Sequence, residues 1–294
     1  METSFNVKRI LIPIDFSETS LLALDHATFM AKLFKADITL VHVVEKTTFK
    51  IELTKKKNSD GVTDKIIYAK LQELAEGVKH KTGNNVQVLT KSGKIAKKIV
   101  EAAKETLTDL IILGTHGVSG FEEFFMGSNA FRVVTESECP VISVQAHATK
   151  VGFNDIVLPI DNSAASRQKL RLAVELAKRY DSTLHIAGIL TLDYKEIRTK
   201  FNAKLKQVEE YIKKHKVSYT VETLKGENIA SLTLAYAEKI KADLIVIMTE
   251  QEEELTGLLM GTFAQQVVNH SKIPVMSVKP SLKPEVEMNF SSGV

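Results

Sequence analysis

Gly114, Gly117, Gly127 and Ser128 stand at spacings that suit the binding of an anion. The unbroken apolar run Leu110 to Leu113 before them is the pattern of a strand buried on both faces of a parallel sheet. Gly127-Ser128-Asn129 then opens an amphipathic run through Ala130, Phe131, Val133 and Val134, which ends before Cys139-Pro140. The order is strand, glycine-rich loop, helix N-terminus. Residues without side chains let backbone amides approach an anion closely. The Ser128 hydroxyl and the free amides of the first helical turn can then hold phosphate oxygens. The competing reading gives the glycines to turns and makes Ser128 a helix cap.

Two phosphate-loop patterns are excluded. Ser92-Gly93-Lys94 has Val88 where G-x-x-x-x-G-K-[ST] needs its first glycine, and Ile95 follows the lysine. A dinucleotide fingerprint crowds its glycines into about six residues, which Gly114, Gly117 and Gly127 do not do. The spacing G-x2-G-x9-G-S resembles the nucleotide loop of the universal stress protein family, whose ATP-binding branch carries G-x2-G-x9-G-[ST].

These residues need elements to position them. At 294 residues the chain is long enough for two domains. A hydrophobic content of 44% with 26% charged residues is that of a soluble globular protein, and no apolar run approaches a membrane span. The net charge of +3 is mild and the lysines are spread, which argues against nucleic-acid binding. One cysteine makes no internal disulfide, and the N-terminus shows no secretory signal, so a cytoplasmic location is expected.

Apolar strands alternate with helical patterns. Arg9 to Asp15, Asp37 to Val44, Val86 to Thr90, Leu110 to Leu113 and Pro140 to Val144 read as strands of a parallel sheet. The programme then repeats. Asp155-Ile-Val-Leu-Pro159-Ile160-Asp161 restates Arg9-Ile-Leu-Ile-Pro13-Ile14-Asp15, 146 positions later. Asp243 to Ile247 restates Asp109 to Leu113, and Met260-Gly261-Thr262 answers Met126-Gly127-Ser128. The chain therefore resembles a tandem universal stress protein over nearly its whole length, with the seam near His147 to Gly152. The expected domains are 1–148, 149–282 and a tail, 283–294.

The resemblance implies an α/β fold: two tandem doubly wound five-stranded parallel sheets of strand order 3-2-1-4-5, forming a pseudo-dimer. Family members commonly pair through the fifth strand, here Val141–Val144 and Val275–Val278. Asp15, ending the first strand, and Gly114, ending the fourth, should then face each other across the crevice where such sheets take ligands. Asp15 can accept from ribose hydroxyls or an adenine amino group, or else cap the helix that starts near Ser17. By resemblance Val43 contacts adenine through its backbone, and Pro13 and Ile14 shape the base pocket. Leu113, His116, Gly117 and Asn129 complete the site with Gly114, Gly127 and Ser128.

The second copy departs from the pattern. Met248 stands where Gly114 stands, and Gln251 where Gly117 stands, with Glu250 and Glu252 to Glu254 beside them. Side chains and repelling charge replace bare backbone, so nucleotide binding is expected in the first copy only. No Ser-His-Asp order, H-E-x-x-H or cysteine cluster is apparent, and Lys55 to Lys57 read as a solvated run. The expected function is ATP binding, with Mg²⁺ brought by the nucleotide, in a regulatory or stress-response role. A slow ATPase or phosphotransferase, and an interaction protein without nucleotide, remain the alternatives. Monomer and homodimer are both open, with a lean to the dimer.

Overall fold

The structure is a computed structural model describing residues 6–45, 60–115, 126–163, 165–249 and 260–280. The first half runs β1 (Arg9–Pro13), α1 (Glu18–Phe34), β2 (Asp37–Val44), α2 (Asp60–Thr82), β3 (Val86–Ser92) and α3 (Ile95–Glu105). It closes with β4 (Leu110–Gly114), α4 (Ser128–Glu136) and β5 (Val141–Val144). The second half runs β6 (Asp155–Ile160), a 3-10 turn (Ala165–Arg167), α5 (Leu170–Tyr180), β7 (Thr183–Leu190) and α6 (Lys195–Lys214). It continues with β8 (Ser218–Lys225), α7 (Ile229–Lys239), β9 (Leu244–Met248), α8 (Thr262–His270) and β10 (Val275–Val278). The described residues fall into two units, one of Asn6–Val151 and one from Gly152 onward.

In each unit every strand pairing is parallel. β1 lies between β2 and β4, β3 flanks β2 and β5 flanks β4, giving the order 3-2-1-4-5. The second unit repeats it as β8-β7-β6-β9-β10. The cause is burial. Helices cover both faces of a crossover sheet, so Leu110 to Leu113 and Leu244 to Met248 are buried without interruption. One carboxylate in each copy ties its central strands together at their beginnings. Asp109 Oδ2 accepts from the amides of Lys8 and Arg9, both at 2.9 Å. Asp243 Oδ2 accepts from those of Asn154 and Asp155, at 2.9 and 3.2 Å.

Helix ends are set locally. Ser17 caps α1 by accepting from the Ser20 amide, and Lys35 ends it in the left-handed conformation at φ 54°. Asp181 ends α5 in the same way at φ 56°. The left-handed backbone thus recurs where the side chains have nothing in common.

His26 of α1 is buried, and its Nε2 donates to the Ala148 carbonyl at 2.9 Å. Burial lowers its pKa, outweighing the opposite effects of that bond and of the Asp25 charge. The fold therefore favours the neutral ring. That contribution is fully present above the unfolded-state pKa of about 6.5 and is lost as pH falls below it. Thermal unfolding followed from about pH 7.5 to about pH 5 should show a falling Tm, with a shallower fall in His26→Gln. Equal slopes for the two proteins would remove His26 as the cause.

Candidate functional site

The site is built on a local turn. Asp15 Oδ1 accepts from the Ser17 amide at 2.9 Å and from the Ser17 hydroxyl at 2.5 Å. That hydroxyl accepts from the Ser20 amide at 3.2 Å. Asp15 therefore does not cap α1 itself; it holds the residue that does. Asp15 is exposed, and among the described residues no group donates to its Oδ2. One carboxylate oxygen is committed to the turn and the other faces solvent.

Gly114 ends β4 beside Asp15, because Ile10 and Leu11 register with Leu110 and Ile111 on the neighbouring strands. A Cβ at Gly114 would lie 2.6 Å from the Thr19 carbonyl carbon and 2.8 Å from the Ser20 nitrogen. The missing side chain makes room for the first turn of α1, which crosses the end of β4 in backbone contact. This packing role was not visible in the loop spacing. It brings the Asp15 turn and the end of β4 into one crevice.

Beyond β4, Thr115 donates its amide to Val144 O at 3.0 Å and accepts from the Gly127 amide at 2.8 Å. Gly127 is the N-cap of α4 and supplies no side-chain cap, so Ser128 is the first helical residue and not the capping one. Phe131 is the first amide to bond within the helix, to Gly127 O at 3.0 Å. The amides of Ser128, Asn129 and Ala130 meet no acceptor among the described residues, the usual state of a helix start. The Gly127 amide, by contrast, is spent on closing the loop. Ser128 is exposed and Asn129 half-buried.

On the side assigned to the base, Pro13 and Val43 are half-buried while Ile14 and Leu113 are buried. Ile14 donates its amide to Val41 O at 2.8 Å. Three neighbours were missed from sequence. Phe16 adopts φ 67°, an uncommon conformation for a bulky residue. Its ring lies 5.5 Å from that of His42, and Lys70 Nζ stands 5.9 Å from its centroid. His42 Nδ1 is 2.7 Å from the Ile14 carbonyl. A positive φ on phenylalanine has no sequence signal. His116 and Gly117 lie outside the described residues, as do Gln251, Glu250 and Glu252 to Glu254.

The second copy keeps the turn and loses the helix start. Asp161 Oδ1 accepts from the amide and hydroxyl of Ser163 at 2.9 and 2.6 Å, matching Asp15 and Ser17 bond for bond. Met248, fully buried, replaces Gly114. Glu18 of α1 corresponds to position 164, yet α5 begins at Leu170, and a 3-10 turn packed on β9 fills the interval. Lys169, where α1 has Ala23, is fully buried and donates to Ser166 O at 2.7 Å. Burial pulls its pKa down to about 8, and the Asp161 charge offsets part of that. Lys204 of α6 donates to the Asn162 carbonyl. Both lysines lie close enough to Asp161 for its charge to act on them.

Comparison with known proteins follows the same division. A profile described as the universal stress protein family matches residues 6–145 and again 152–279. The universal stress protein MJ0531 of Methanocaldococcus jannaschii is 33% identical over 141 residues, 47% of this chain and 82% of its own length. The universal stress protein YxiE of Bacillus subtilis is 28% identical over 152 residues, 47% of this chain and 98% of its own. In structure, a universal stress protein from Archaeoglobus fulgidus aligns over 95% of this chain and 98% of its own, at TM-score 0.75 and 23% identity.

The Gly114 contact is directly testable. Gly114→Ala puts a methyl group into the backbone of Thr19 and Ser20 and should destabilise the protein by about 1–3 kcal/mol, as overpacking does. Thermal or urea unfolding would read this as a lowered midpoint. A midpoint equal to that of the unsubstituted protein would show that α1 does not need the approach.

Proposed function

The chain belongs to the universal stress protein family as a tandem of two such domains, and from that premise we propose that its first half holds ATP in a regulatory, stress-response role. The observation that carries this reading is the contrast at one matched position. At Gly114 the end of β4 meets the first turn of α1 in backbone contact beside the Asp15 turn, and α4 starts without a side-chain cap. In the second half a buried Met248 stands at the Gly114 position, and a buried Lys169 lies close enough to Asp161 to feel its charge.

The proposed assignments follow from the groups present. Asp15 Oδ2 accepts from a ribose hydroxyl, and the Val43 backbone with Pro13, Ile14 and Leu113 borders the base. The amides of Ser128 and Asn129, with the Ser128 hydroxyl, meet phosphate oxygens at the positive end of α4. Gly117 and His116 belong to the same proposed set. Mg²⁺ would enter with the triphosphate. Binding rather than turnover suits Asp15, whose Oδ1 is already held by Ser17. Among the described residues no helix is long and apolar enough to cross a membrane.

Isothermal titration with ATP distinguishes the halves. The full chain should bind one ATP, and Asp15→Ala should weaken it about tenfold or more, the loss expected for a hydrogen bond to a charged group. Ser128→Ala should weaken it by a smaller factor. Asp161→Ala and Thr262→Ala should leave the affinity unchanged. Two sites per chain, or equal losses from the Asp15 and Asp161 substitutions, would overturn the assignment.

A further inference from the structure

A second chemical arrangement lies in the second half, away from the turn at Asp161. At the start of its sheet, three neighbouring strands contribute one residue each to a continuous hydrogen-bonded line. Thr220 Oγ1 of β8 is 2.9 Å from His185 Nδ1 of β7, and His185 Nε2 is 2.9 Å from Asp155 Oδ1 of β6. The register makes the line: His185 pairs directly with Thr220, and Val157, two residues after Asp155, pairs with His185. Side chains two apart on one strand share a face. The imidazole is 13% exposed and the carboxylate 39%, while Thr220 is exposed.

The proton positions follow from the acceptors. An ionised carboxylate only accepts, so in the neutral ring Nε2 carries the hydrogen and gives it to Asp155. The Nδ1 lone pair then faces the Thr220 hydroxyl, which donates to it. This is the order hydroxyl, base, orienting carboxylate that activates a nucleophile. It is absent from the first copy, whose corresponding residues are Arg9, Thr39 and Gln87. There Gln87 Nε2 donates to Thr39 Oγ1 at 2.7 Å and Arg9 turns to Asp109, with no imidazole between them.

We propose that Thr220 is a nucleophile toward small activated acyl donors, with His185 as its general base and Asp155 as the positioning residue. The Thr220 Oγ1 lone pair forms a bond to the acyl carbon while the hydroxyl proton passes to His185 Nδ1. The tetrahedral adduct then expels its leaving group as an alkoxide or phenolate, which takes the proton back from Nδ1. The products are acyl-Thr220 and the free alcohol or phenol. No oxidant or metal is required. Among the described strands only β7 pairs with β8, so β8 has an open outer edge whose outward N–H groups can donate to the oxygen on which charge develops.

The test uses the full chain and p-nitrophenyl acetate, with peptide mass spectrometry to locate the acetyl group. Acetyl-Thr220 should form in the unsubstituted protein and in Thr220→Ser, and be absent from Thr220→Val. His185→Gln should slow it about a hundredfold, the lower end of the general-base range. Asp155→Asn should slow it as well and shift the ring-nitrogen NMR resonances of His185, a tautomer signature that loss of packing alone would not produce. Unchanged melting of the Thr220 variants confirms that the sheet is intact. Acetyl groups found on lysine or histidine alone, or equal acetylation of Thr220 in His185→Gln, would overturn the proposal.

Discussion

The closest constraint in the first half is the backbone approach at Gly114. A Cβ there would stand 2.6 Å from Thr19, so the end of β4 and the first turn of α1 can meet only while that position is bare. α1 starts directly after the Asp15 turn, and its first turn lies against the end of β4. The second half shows the same architecture without the approach. Met248 is accommodated and the corresponding helix begins later, at Leu170.

The turn itself does not depend on the glycine. Asp15-x-Ser17-x-x-Ser20 and Asp161-x-Ser163-x-x-Ser166 make the same bonds, including Ser20 and Ser166 amides at 3.2 Å from the hydroxyl before them. The motif is satisfied within six residues and is indifferent to what packs above it. A retained aspartate is therefore poor testimony for a retained ligand site. What differs between the copies is the space around it, where Lys169 buries a cation and Met248 a thioether.

Much of this was legible in the sequence, for a physical reason. Parallel strands covered on both faces must be apolar throughout, so Leu110 to Leu113 and Leu244 to Ile247 announced themselves, whereas their order in the sheet was implied by the family resemblance. Contacts between distant segments gave no such signal. The late start of α5 coincides with a 3-10 turn that packs on β9, far along the chain. Asp155, His185 and Thr220 meet only because three strands register, and no local pattern joins them. Left-handed residues were equally silent: Leu107 and Lys241 share φ near 51° and 55°, and Gly83 and Lys216 φ 73° and 57°, without sharing chemistry. Phe16, at φ 67°, shows no such match, since Asn162 is not among the positive-φ residues.

The closure between Thr115 and Gly127, repeated between Thr249 and Gly261, is a main-chain hydrogen bond, and each threonine hydroxyl also donates to the adjoining strand. Val144 O and Val278 O complete it from the adjoining strand. Residues 116–125 and 250–259 are thus bracketed by the same pair of hydrogen bonds in both copies. Lengthening such an excursion is thermodynamically mild, about 0.6 kcal/mol for each doubling. The two copies could accordingly diverge there, one toward glycine and one toward glutamate, while the frame stayed fixed.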